Sequence, residues 1–202
     1  MSHIVFLIGH PATGKSTLYS IITSKFKQSG QRFCRLNDRD FFQNLIAHDE
    51  NHKFHRIETD GSITVTNPKL FELLFVNFGK KLQSTSWSED WVFAELTSNN
   101  YPKTFHLMGE AFLSSCFVIL VMASQETANT RNNNRPLHSE NIDNEHIPDY
   151  YIRECYSQDM QHIPDFFRMA FLVVNDGNDL LNLEKSAEKI VMSLIESQNS
   201  KV

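Results

Sequence analysis

The sequence predicts a three-layer α/β fold, in which helices cover both faces of a mainly parallel five-stranded sheet. Two observations predict it: short apolar runs alternate with longer amphipathic runs along the 202 residues, and no repeat or low-complexity linker divides the chain. Strands that alternate with helices require right-handed crossovers, which leave neighbouring strands parallel. We therefore interpret residues 1–202 as one domain.

Five apolar runs are short and rich in Val, Ile, Phe or Cys, as buried strands are. They cover residues 4–8, 32–36, 91–94, 116–122 and 170–174. Helical spacing of apolar residues predicts helices between and after these runs. One helix follows the first strand, with Leu18, Ile21, Ile22 and Phe26 on one face, and others cover residues 41–48, 68–82, 104–113 and 180–195. In such a sheet, ligands bind at the carboxyl ends of the strands.

Two segments break the alternation. Residues 55–66 contain Asp60-Gly61 between β-prone residues, which is typical of a small hairpin or of an ordered loop over the sheet edge. Residues 129–146 are polar, rich in Asn and poor in apolar side chains. Such a segment cannot bury itself, so we expect a mobile lid that carries Arg131 and Arg135.

Net charge, the length of the longest apolar stretch and cysteine spacing each disfavour one class of protein. Nineteen Lys and Arg against 24 Asp and Glu give a net charge of −5, which disfavours general binding to nucleic acid. The longest uncharged apolar stretch, residues 111–123, is shorter than the roughly 20 residues that span a bilayer. The three cysteines have no CxxC spacing, so we expect neither a disulfide framework nor a zinc ribbon, and a reducing cytoplasmic setting.

Residues 9–16, with the sequence GHPATGKS, match the phosphate-binding pattern G-x-x-x-x-G-K-[ST] between a predicted strand and a predicted helix. Backbone N–H groups and the helix N-terminus of such a loop hold an anion. Lys15 is expected beside the β and γ phosphates, and the Ser16 hydroxyl on Mg²⁺. The cofactors predicted are ATP and Mg²⁺, and the nucleotide-binding residues are Gly9, His10, Pro11, Ala12, Thr13, Gly14, Lys15, Ser16 and Thr17.

Missing motifs exclude several classes of phosphate-loop protein. The chain has no DxxG, no NKxD and no LSGGQ, so neither a switch GTPase nor a transporter ATPase is indicated. The strand at 116–122 ends in Ala123-Ser124 and offers no acidic residue for the metal. Glu95, after the third strand, is the alternative acid.

These motifs resemble those of P-loop kinases of the nucleoside monophosphate kinase type, within the branch that holds polynucleotide kinase, zeta toxin and chloramphenicol phosphotransferase. The resemblance covers most of the chain. It rests on residues 9–16, on the sequence NDRD at 37–40, on Glu95, and on residues 131–135 leading to Ile147-Pro148.

In that branch an Asp beyond the second strand acts as base on the acceptor hydroxyl, and lid arginines cover the transferred phosphate. The resemblance implies the first role for Asp38 or Asp40 and the second for Arg131 and Arg135. Polynucleotide kinases have NRDD where this chain has NDRD, so the choice of base stays open.

The residue types themselves leave alternatives. Asp38 is placed to accept a hydroxyl proton or to cap the following helix, and Asp40 also suits the first turn of that helix. Arg39 suits a pairing with either carboxylate or contact with an anionic acceptor. Glu95 suits a Mg²⁺-bound water, a substrate hydroxyl or a strand-end charge. Arg131 and Arg135, one turn apart, suit a shared phosphate or a solvated basic face.

Three further patterns are ambiguous. His48, His52 and His55 have a spacing that suits zinc, but a polar helix end is the simpler interpretation. Residues 175–177 form either a loop against the adenine or an ordinary turn. An aromatic wall for the acceptor is suggested by Phe41, Phe42, Phe71, Phe75 and Phe78.

The sequence therefore predicts a cytoplasmic kinase that transfers phosphate from ATP, with Mg²⁺, to the hydroxyl of a small molecule. One alternative is a 5′-hydroxyl kinase on nucleic acid, which the net charge opposes. The other is a nucleotide-binding NTPase or regulator with little kinase turnover, which needs neither the acid nor the lid arginines.

Overall fold

The computed structural model describes residues 2–59, 63–136, 146–177 and 180–199. Its strands are β1 (His3–Ile8), β2 (Phe33–Asn37), β3 (His55–Ile57), β4 (Ile63–Val65), β5 (Trp91–Leu96), β6 (Phe117–Met122) and β7 (Met169–Val174). Five of them form a sheet in the order β2-β5-β1-β6-β7, and every pair in it is parallel. The predicted sheet is therefore confirmed.

The helices of the described residues lie between the strands and after the last one. They are α1 (Lys15–Gln28), α2 (Asp38–Ala47), α3 (Lys69–Ser84), α4 (Tyr101–Met108), α5 (Glu110–Leu113), α6 (Gln125–Asn133), α7 (Asp149–Tyr156) and α8 (Leu180–Asn199). A 3-10 turn spans Ile163–Phe166. Within this part of the chain, no helix combines the length and the apolar character needed to cross a membrane.

Side chains of the central strand β1 alternate between two buried cores. Val5 and Leu7 join a cluster with residues of α1 and α8, whereas Phe6 and Ile8 join a cluster with residues of α3 and α4. This alternation is the period of two that a strand imposes on its side chains. Because both faces of β1 are buried under helices, the predicted three layers are confirmed.

The helix predicted at 104–113 is interrupted. Gly109 separates α4 from α5 with a φ of 91°, a left-handed conformation that glycine adopts without steric cost. The helix α4 also begins earlier than predicted, where Asn100 caps it by accepting a hydrogen bond from the backbone N–H of Lys103 at 3.0 Å. The prediction of one continuous helix is therefore wrong, because a single glycine ends the first helix.

Of the two structures that the sequence allowed for residues 55–66, the hairpin is the one found. The strands β3 and β4 pair antiparallel, with Arg56 opposite Thr64, and residues 60–62 lie outside the described residues. Just beyond the hairpin, the backbone N–H of Thr66 donates to Phe54 O at 2.9 Å. The hairpin thus leads directly into α3.

The lid predicted at 129–146 is only partly described, since residues 137–145 lie outside the described residues. Its first residues, 129–133, are helical and belong to α6. The buried side chain of Asn132 donates to Ile147 O at 2.8 Å and accepts from Ile147 N at 2.9 Å. The expectation that this whole segment stays unburied is therefore wrong at Asn132, whose side chain connects α6 to Ile147.

Candidate active site

The loop of residues 9–14 connects the carboxyl end of β1 to the N-terminus of α1. Gly14 has a φ of 95°, and a Cβ there would lie 2.4 Å from Asn175 Nδ2, so only glycine fits. Ala12 also has a positive φ, of 59°. Because α1 begins at Lys15, its first backbone N–H groups point toward the loop, which is a favourable arrangement for binding an anion.

Lys15 is buried and folds back over the loop. Its ammonium group donates to Gly9 O at 2.9 Å and to His10 O at 3.0 Å. Burial lowers the pKa of Lys15, and the negative charges of Glu95 and Asp38 partly oppose that effect. Lys15 is thus close enough to Glu95 and Asp38 to be influenced by both carboxylates.

Tyr101 attaches the start of α4 to the same loop. Its buried hydroxyl accepts from Gly9 N at 3.3 Å and donates to Gly9 O at 3.2 Å. Nothing in the local sequence distinguishes this tyrosine, although a buried tyrosine hydroxyl usually finds a polar partner. The segment that follows β5 is therefore held against the loop by a residue that the sequence did not indicate.

Arg131 and Asn175 lie on the other side of the loop. Asn175 Nδ2 donates to Thr13 O at 2.7 Å. The Arg131 guanidinium donates to Ala12 O and Thr13 O at 3.4 Å each, and to Gly177 O at 2.7 Å. The structure therefore brings Arg131 and residues 175–177 together at the loop.

Arg135 follows α6, and its backbone N–H donates to Asn132 O at 3.0 Å. Its charge is one of those that lower the pKa of Lys15, after burial. Arg135 is half-buried, so it is not part of a solvated face. Arg131 thus contacts the loop backbone, and Arg135 lies close enough to influence Lys15.

Asp38 is the first residue of α2, at the carboxyl end of β2. Its carboxylate accepts a hydrogen bond from the backbone N–H of Thr97 at 2.7 Å. Burial raises the pKa of Asp38 to about 7; the Thr97 hydrogen bond and Lys15 oppose the rise, and Glu95 adds to it. A carboxyl group with this pKa changes protonation near neutral pH.

The cap of α2 is Asn37 and not Asp38. Asn37 Oδ1 accepts from the backbone N–H of Arg39 at 3.0 Å, so the helix-cap alternative for Asp38 is wrong. Asp40 is exposed in the first turn, where a negative charge is favourable to the helix dipole. Of the two candidate bases, the structure places Asp38 against the neighbouring strand and leaves Asp40 at the surface.

Glu95 is buried within β5, which is two residues longer than predicted. Its carboxylate is paired with the Arg35 guanidinium, whose Nε lies 3.0 Å from Glu95 Oε2. The same guanidinium donates to Ser16 Oγ at 3.4 Å and lies 5.0 Å from the centre of the Tyr19 ring. Arg35 therefore joins the two predicted metal ligands, and its only signal in the sequence is a charge inside an apolar run.

The oxygen groups at this point fit Mg²⁺ in the form that accompanies a nucleotide. Magnesium is bound by one or two carboxylates together with substrate phosphates. Ser16 offers a hydroxyl, and Glu95 offers a carboxylate that it shares with Arg35. Among the residues that the structure describes, no cluster of three or more His, Cys, Asp or Glu side chains could hold a metal without such phosphates.

The three histidines near the end of α2 have other partners. His48 Nδ1 lies 2.7 Å from Asn44 O, and His52 Nδ1 lies 3.2 Å from His55 Nε2. The opposite nitrogen of the buried His55 ring lies 2.8 Å from an oxygen of Asp49. These contacts order the chain between α2 and the hairpin.

Two buried polar atoms beside the loop lack a hydrogen-bond partner in the described part of the chain, namely His10 Nε2 and Tyr156 OH. The two rings contact each other edge to face, with 4.2 Å between their centres. Burial, and then the charge of Lys15, lower the pKa of His10 to about 4, so the ring is neutral at pH 7. Buried polar groups are normally paired, so two unpaired ones fit a site that a polar ligand completes.

A cavity of about 460 Å³ lies beyond the β5 end of this site. Its wall includes Asn99 and Asn100, which follow Thr97 in the chain. Phe71 and Phe75 of α3 also line it, as two of the five aromatic residues suggested for an acceptor pocket. The volume is suited to a small organic molecule.

The comparisons with known proteins agree with this geometry at the level of the fold. No protein-family model matches the chain, and no curated protein matches its sequence. A sugar kinase from Janibacter sp. HTCC2649 is similar in structure, with 11% identity, 96% of this chain and 95% of that chain covered, and a TM-score of 0.61. A gluconokinase from Sinorhizobium meliloti 1021 has 12% identity, coverage of 99% and 97%, and a TM-score of 0.57.

Kti12 from Chaetomium thermophilum, in complex with ADP-AlF3, is similar over 93% of this chain and 96% of that chain, with 13% identity and a TM-score of 0.57. Identities this low show the fold and do not transfer a function. The chain therefore shares with these proteins a three-layer α/β fold around a five-stranded parallel sheet.

Proposed function

We propose that this chain is an ATP-dependent and Mg²⁺-dependent phosphotransferase that moves the γ-phosphate to a hydroxyl group of a small molecule. The observation that carries the proposal is the position of Asp38, held by Thr97 N–H beside Lys15 and next to the segment that lines the cavity. A general base works best when its pKa is near the working pH. The pKa of about 7 for Asp38 meets that condition.

The nucleotide phosphates would be held by the backbone N–H groups of residues 9–16 and by the N-terminus of α1. Lys15 would exchange its two carbonyl partners for phosphate oxygens. Arg131 and Arg135 would contact the transferred phosphate, since both lie beside the loop. His10 Nε2 and Tyr156 OH are two polar groups that a ligand would satisfy in the occupied site.

Ser16 and Glu95 would hold Mg²⁺. When bound, the ion neutralises charge on the β and γ phosphates. Arg35 keeps the carboxylate of Glu95 oriented toward Ser16 and reduces its net charge. This chain would therefore bind the metal together with ATP rather than before it.

The reaction balances with the groups present. The acceptor oxygen forms a bond to the γ-phosphorus while the bond from that phosphorus to the bridging oxygen of ADP breaks, and ADP leaves with the electron pair. The hydroxyl proton passes to the carboxylate of Asp38. Because such transfer needs positioning and charge neutralisation more than covalent help, the residues around the loop are sufficient for it.

The direct test is transfer of labelled γ-phosphate from ATP to a panel of small hydroxyl compounds. We expect Lys15→Ala to reduce transfer by at least about a hundredfold, because Lys15 stabilises charge that develops in the transition state. Lys27→Ala, at the exposed far end of α1, is the matched control and should keep normal transfer. Normal transfer by folded Lys15→Ala would contradict the proposal.

One observation favours a second candidate, a nucleotide-binding regulator with little turnover. Glu95 is already paired with Arg35, and Lys15 already has loop carbonyls as partners. In such a protein, no acceptor would raise the rate of ADP formation above the rate of ATP hydrolysis measured without an acceptor.

A 5′-hydroxyl nucleic acid kinase is tested in the same assay with oligonucleotides, which the net charge of −5 predicts to be poor acceptors.

A further inference from the structure

The cavity described above is adjacent to the proposed base. Thr97 binds Asp38, and two and three residues later Asn99 and Asn100 line the cavity. Tyr151 of α7 also lines it, and burial, followed by the charges of neighbouring groups that include Asp38, raises the pKa of that tyrosine. A molecule in the cavity would therefore lie next to the segment whose residue Thr97 binds Asp38.

The charged side chains in the described wall of this cavity are two carboxylates and one ammonium group. The Nζ atom of Lys103 lies 2.8 Å from Glu72 Oε1, so this pair neutralises itself. Glu154 Oε2 accepts from the amide of Asn99 at 3.2 Å, and this contact leaves its negative charge uncompensated. The wall of the cavity thus carries an excess negative charge at Glu154.

Among the described residues, Lys103 is the one Lys or Arg that lines the cavity. The segments outside the described residues nearest in sequence to the cavity wall, 60–62 (DGS) and 137–145 (LHSENIDNE), contain neither Lys nor Arg. Arg39, which the sequence suggested for an anionic acceptor, is not among the residues that line the cavity. Lys15 and Arg131 are committed to the phosphate loop.

The remaining wall is largely apolar. The rings of Phe71, Phe75 and Tyr150 and the side chain of Leu107 contribute to it. Phe71 is also stacked on Phe42, with 6.2 Å between ring centres, which fixes its orientation. Aromatic faces of this kind bind the apolar side of a ring compound and attract a cation more than an anion.

We propose that the phosphate acceptor is an uncharged or cationic ring compound with a free hydroxyl, which places an amine toward Glu154 and its apolar face on Phe71 and Phe75. This specificity rests on the proposed kinase function. A carboxylate or phosphate on the acceptor would face Glu154 and be repelled by it, so the cavity discriminates against acids. The same charge discriminates against the phosphodiester of a nucleic acid.

The experiment uses the full chain and matched sets of ring compounds that share a skeleton, such as glucose, glucosamine and glucuronate. Transfer of labelled phosphate from ATP gives kcat/KM for each member, and saturation-transfer NMR measures binding independently of turnover. We expect the acid to be about tenfold or more poorer than the neutral or amino compound. We expect Glu154→Gln to reduce the preference for the amine by about fivefold and to leave ATP binding unchanged.

Glu188→Gln is the matched control, since it removes the same charge from the exposed face of α8. A preference for the acid, or an amine preference that Glu154→Gln leaves intact, would overturn the charge proposal while the kinase stands. Binding of the amines without any transfer would support the cavity charge and contradict the kinase. Failure of every neutral and amino compound to bind would overturn this inference.

Discussion

The guanidinium group of Arg35 is paired with the carboxylate of Glu95 and also donates a hydrogen bond to the hydroxyl of Ser16 at 3.4 Å. Ser16 and Glu95 are the two residues proposed to hold Mg²⁺. A fixed positive charge between two metal ligands lowers the affinity for a free cation, because both cations compete for the same oxygen atoms. If Ser16 and Glu95 hold Mg²⁺ as proposed, Arg35 would make metal binding depend on the nucleotide phosphates.

This relationship predicts that Arg35→Gln binds a divalent ion without nucleotide at least about fivefold more tightly than the original chain. The measurement is Mn²⁺ binding followed by electron paramagnetic resonance. Arg32→Gln is the control, because Arg32 also forms a guanidinium pair, with Asp90, but at the surface. Equal Mn²⁺ affinity in the original chain and in Arg35→Gln would refute the role given to Arg35.

The two lid arginines are expected to differ. Arg131 holds the loop carbonyls of Ala12 and Thr13 before nucleotide binds, so Arg131→Ala should weaken ATP affinity as well as kcat. Arg135→Ala should lower kcat by at least about tenfold with a smaller effect on affinity, since its contribution is realised in the transition state. Steady-state kinetics and binding of a fluorescent ATP analogue measure both effects.

Arg153→Ala, on the exposed side of α7, is the matched control for these two variants. It should keep both kcat and ATP affinity near normal. If Arg131→Ala and Arg135→Ala behave as Arg153→Ala does, the two lid arginines do not act on the phosphates.

Asn132 is predicted to stabilise the base of the lid segment. Asn132→Ala removes two hydrogen bonds and leaves the backbone N–H and C=O of Ile147 without the Asn132 side chain as a partner. The free energy of unfolding should fall by about 1 to 3 kcal/mol. Urea unfolding measures the loss, and hydrogen exchange at the Ile147 amide locates it. Asn133→Ala, at the exposed neighbouring position, should change little. If the two variants have similar stability and similar hydrogen exchange at Ile147, the Asn132–Ile147 contact does not stabilise this segment.

Gly79 is predicted to be required for the contact between α3 and α4. A Cβ at this position would lie 2.7 Å from Met108 Cα and 2.8 Å from Met108 O, so Gly79→Ala should destabilise the fold by about 1 to 3 kcal/mol. The measurement is the urea midpoint, with Asn77→Ala at an exposed position of α3 as control. A Gly79→Ala variant as stable as the original chain would contradict the prediction that glycine is required where α3 contacts α4.

Local signals in the sequence predicted much of the site. The loop at 9–16 is a contiguous motif between a strand and a helix, and the structure has that order. Ligands were predicted to bind at the carboxyl ends of the strands, and Asp38, at the end of β2, lies against the segment that follows β5. The alternation of apolar runs predicted the sheet itself, because buried strands between helices need apolar side chains on both faces.

Contacts that depend on strand register could not be predicted. In the pairing of β2 with β5, Asn37 lies opposite Glu95 and Arg35 lies opposite Phe93, so the ion pair between Arg35 and Glu95 joins positions 60 residues apart. Tyr101 reaches the loop only because α4 begins directly after the β5 strand end. No pattern within either segment contains that information.

The contact of Asn132 with Ile147 was missed for a different reason. A polar segment is ordinarily interpreted as solvated, and its composition does not show that one amide will satisfy a backbone N–H and a backbone C=O at the other end of the segment. The expectation of an unburied segment therefore fails at Asn132, whereas the lid itself stays a prediction.

The central claim is that Asp38 is the base of a phosphoryl transfer. The measurement that tests it most directly is the pH dependence of kcat/KM for labelled phosphate transfer, from about pH 5 to about pH 9, in the original chain, Asp38→Asn and Asp40→Asn. Only the ionised carboxylate accepts a proton, so with a pKa of about 7 the rate should fall as pH decreases below 7.

Asp38→Asn should lose at least about a hundredfold of the rate, and Asp40→Asn should retain both the rate and the midpoint near pH 7. Asparagine at position 38 can still accept from Thr97 N–H, so a loss would reflect the missing base rather than a disrupted fold. The assignment of Asp38 as the base would be contradicted if Asp38→Asn transferred phosphate at an undiminished rate. It would also be contradicted if the midpoint of the pH dependence of kcat/KM moved in Asp40→Asn alone.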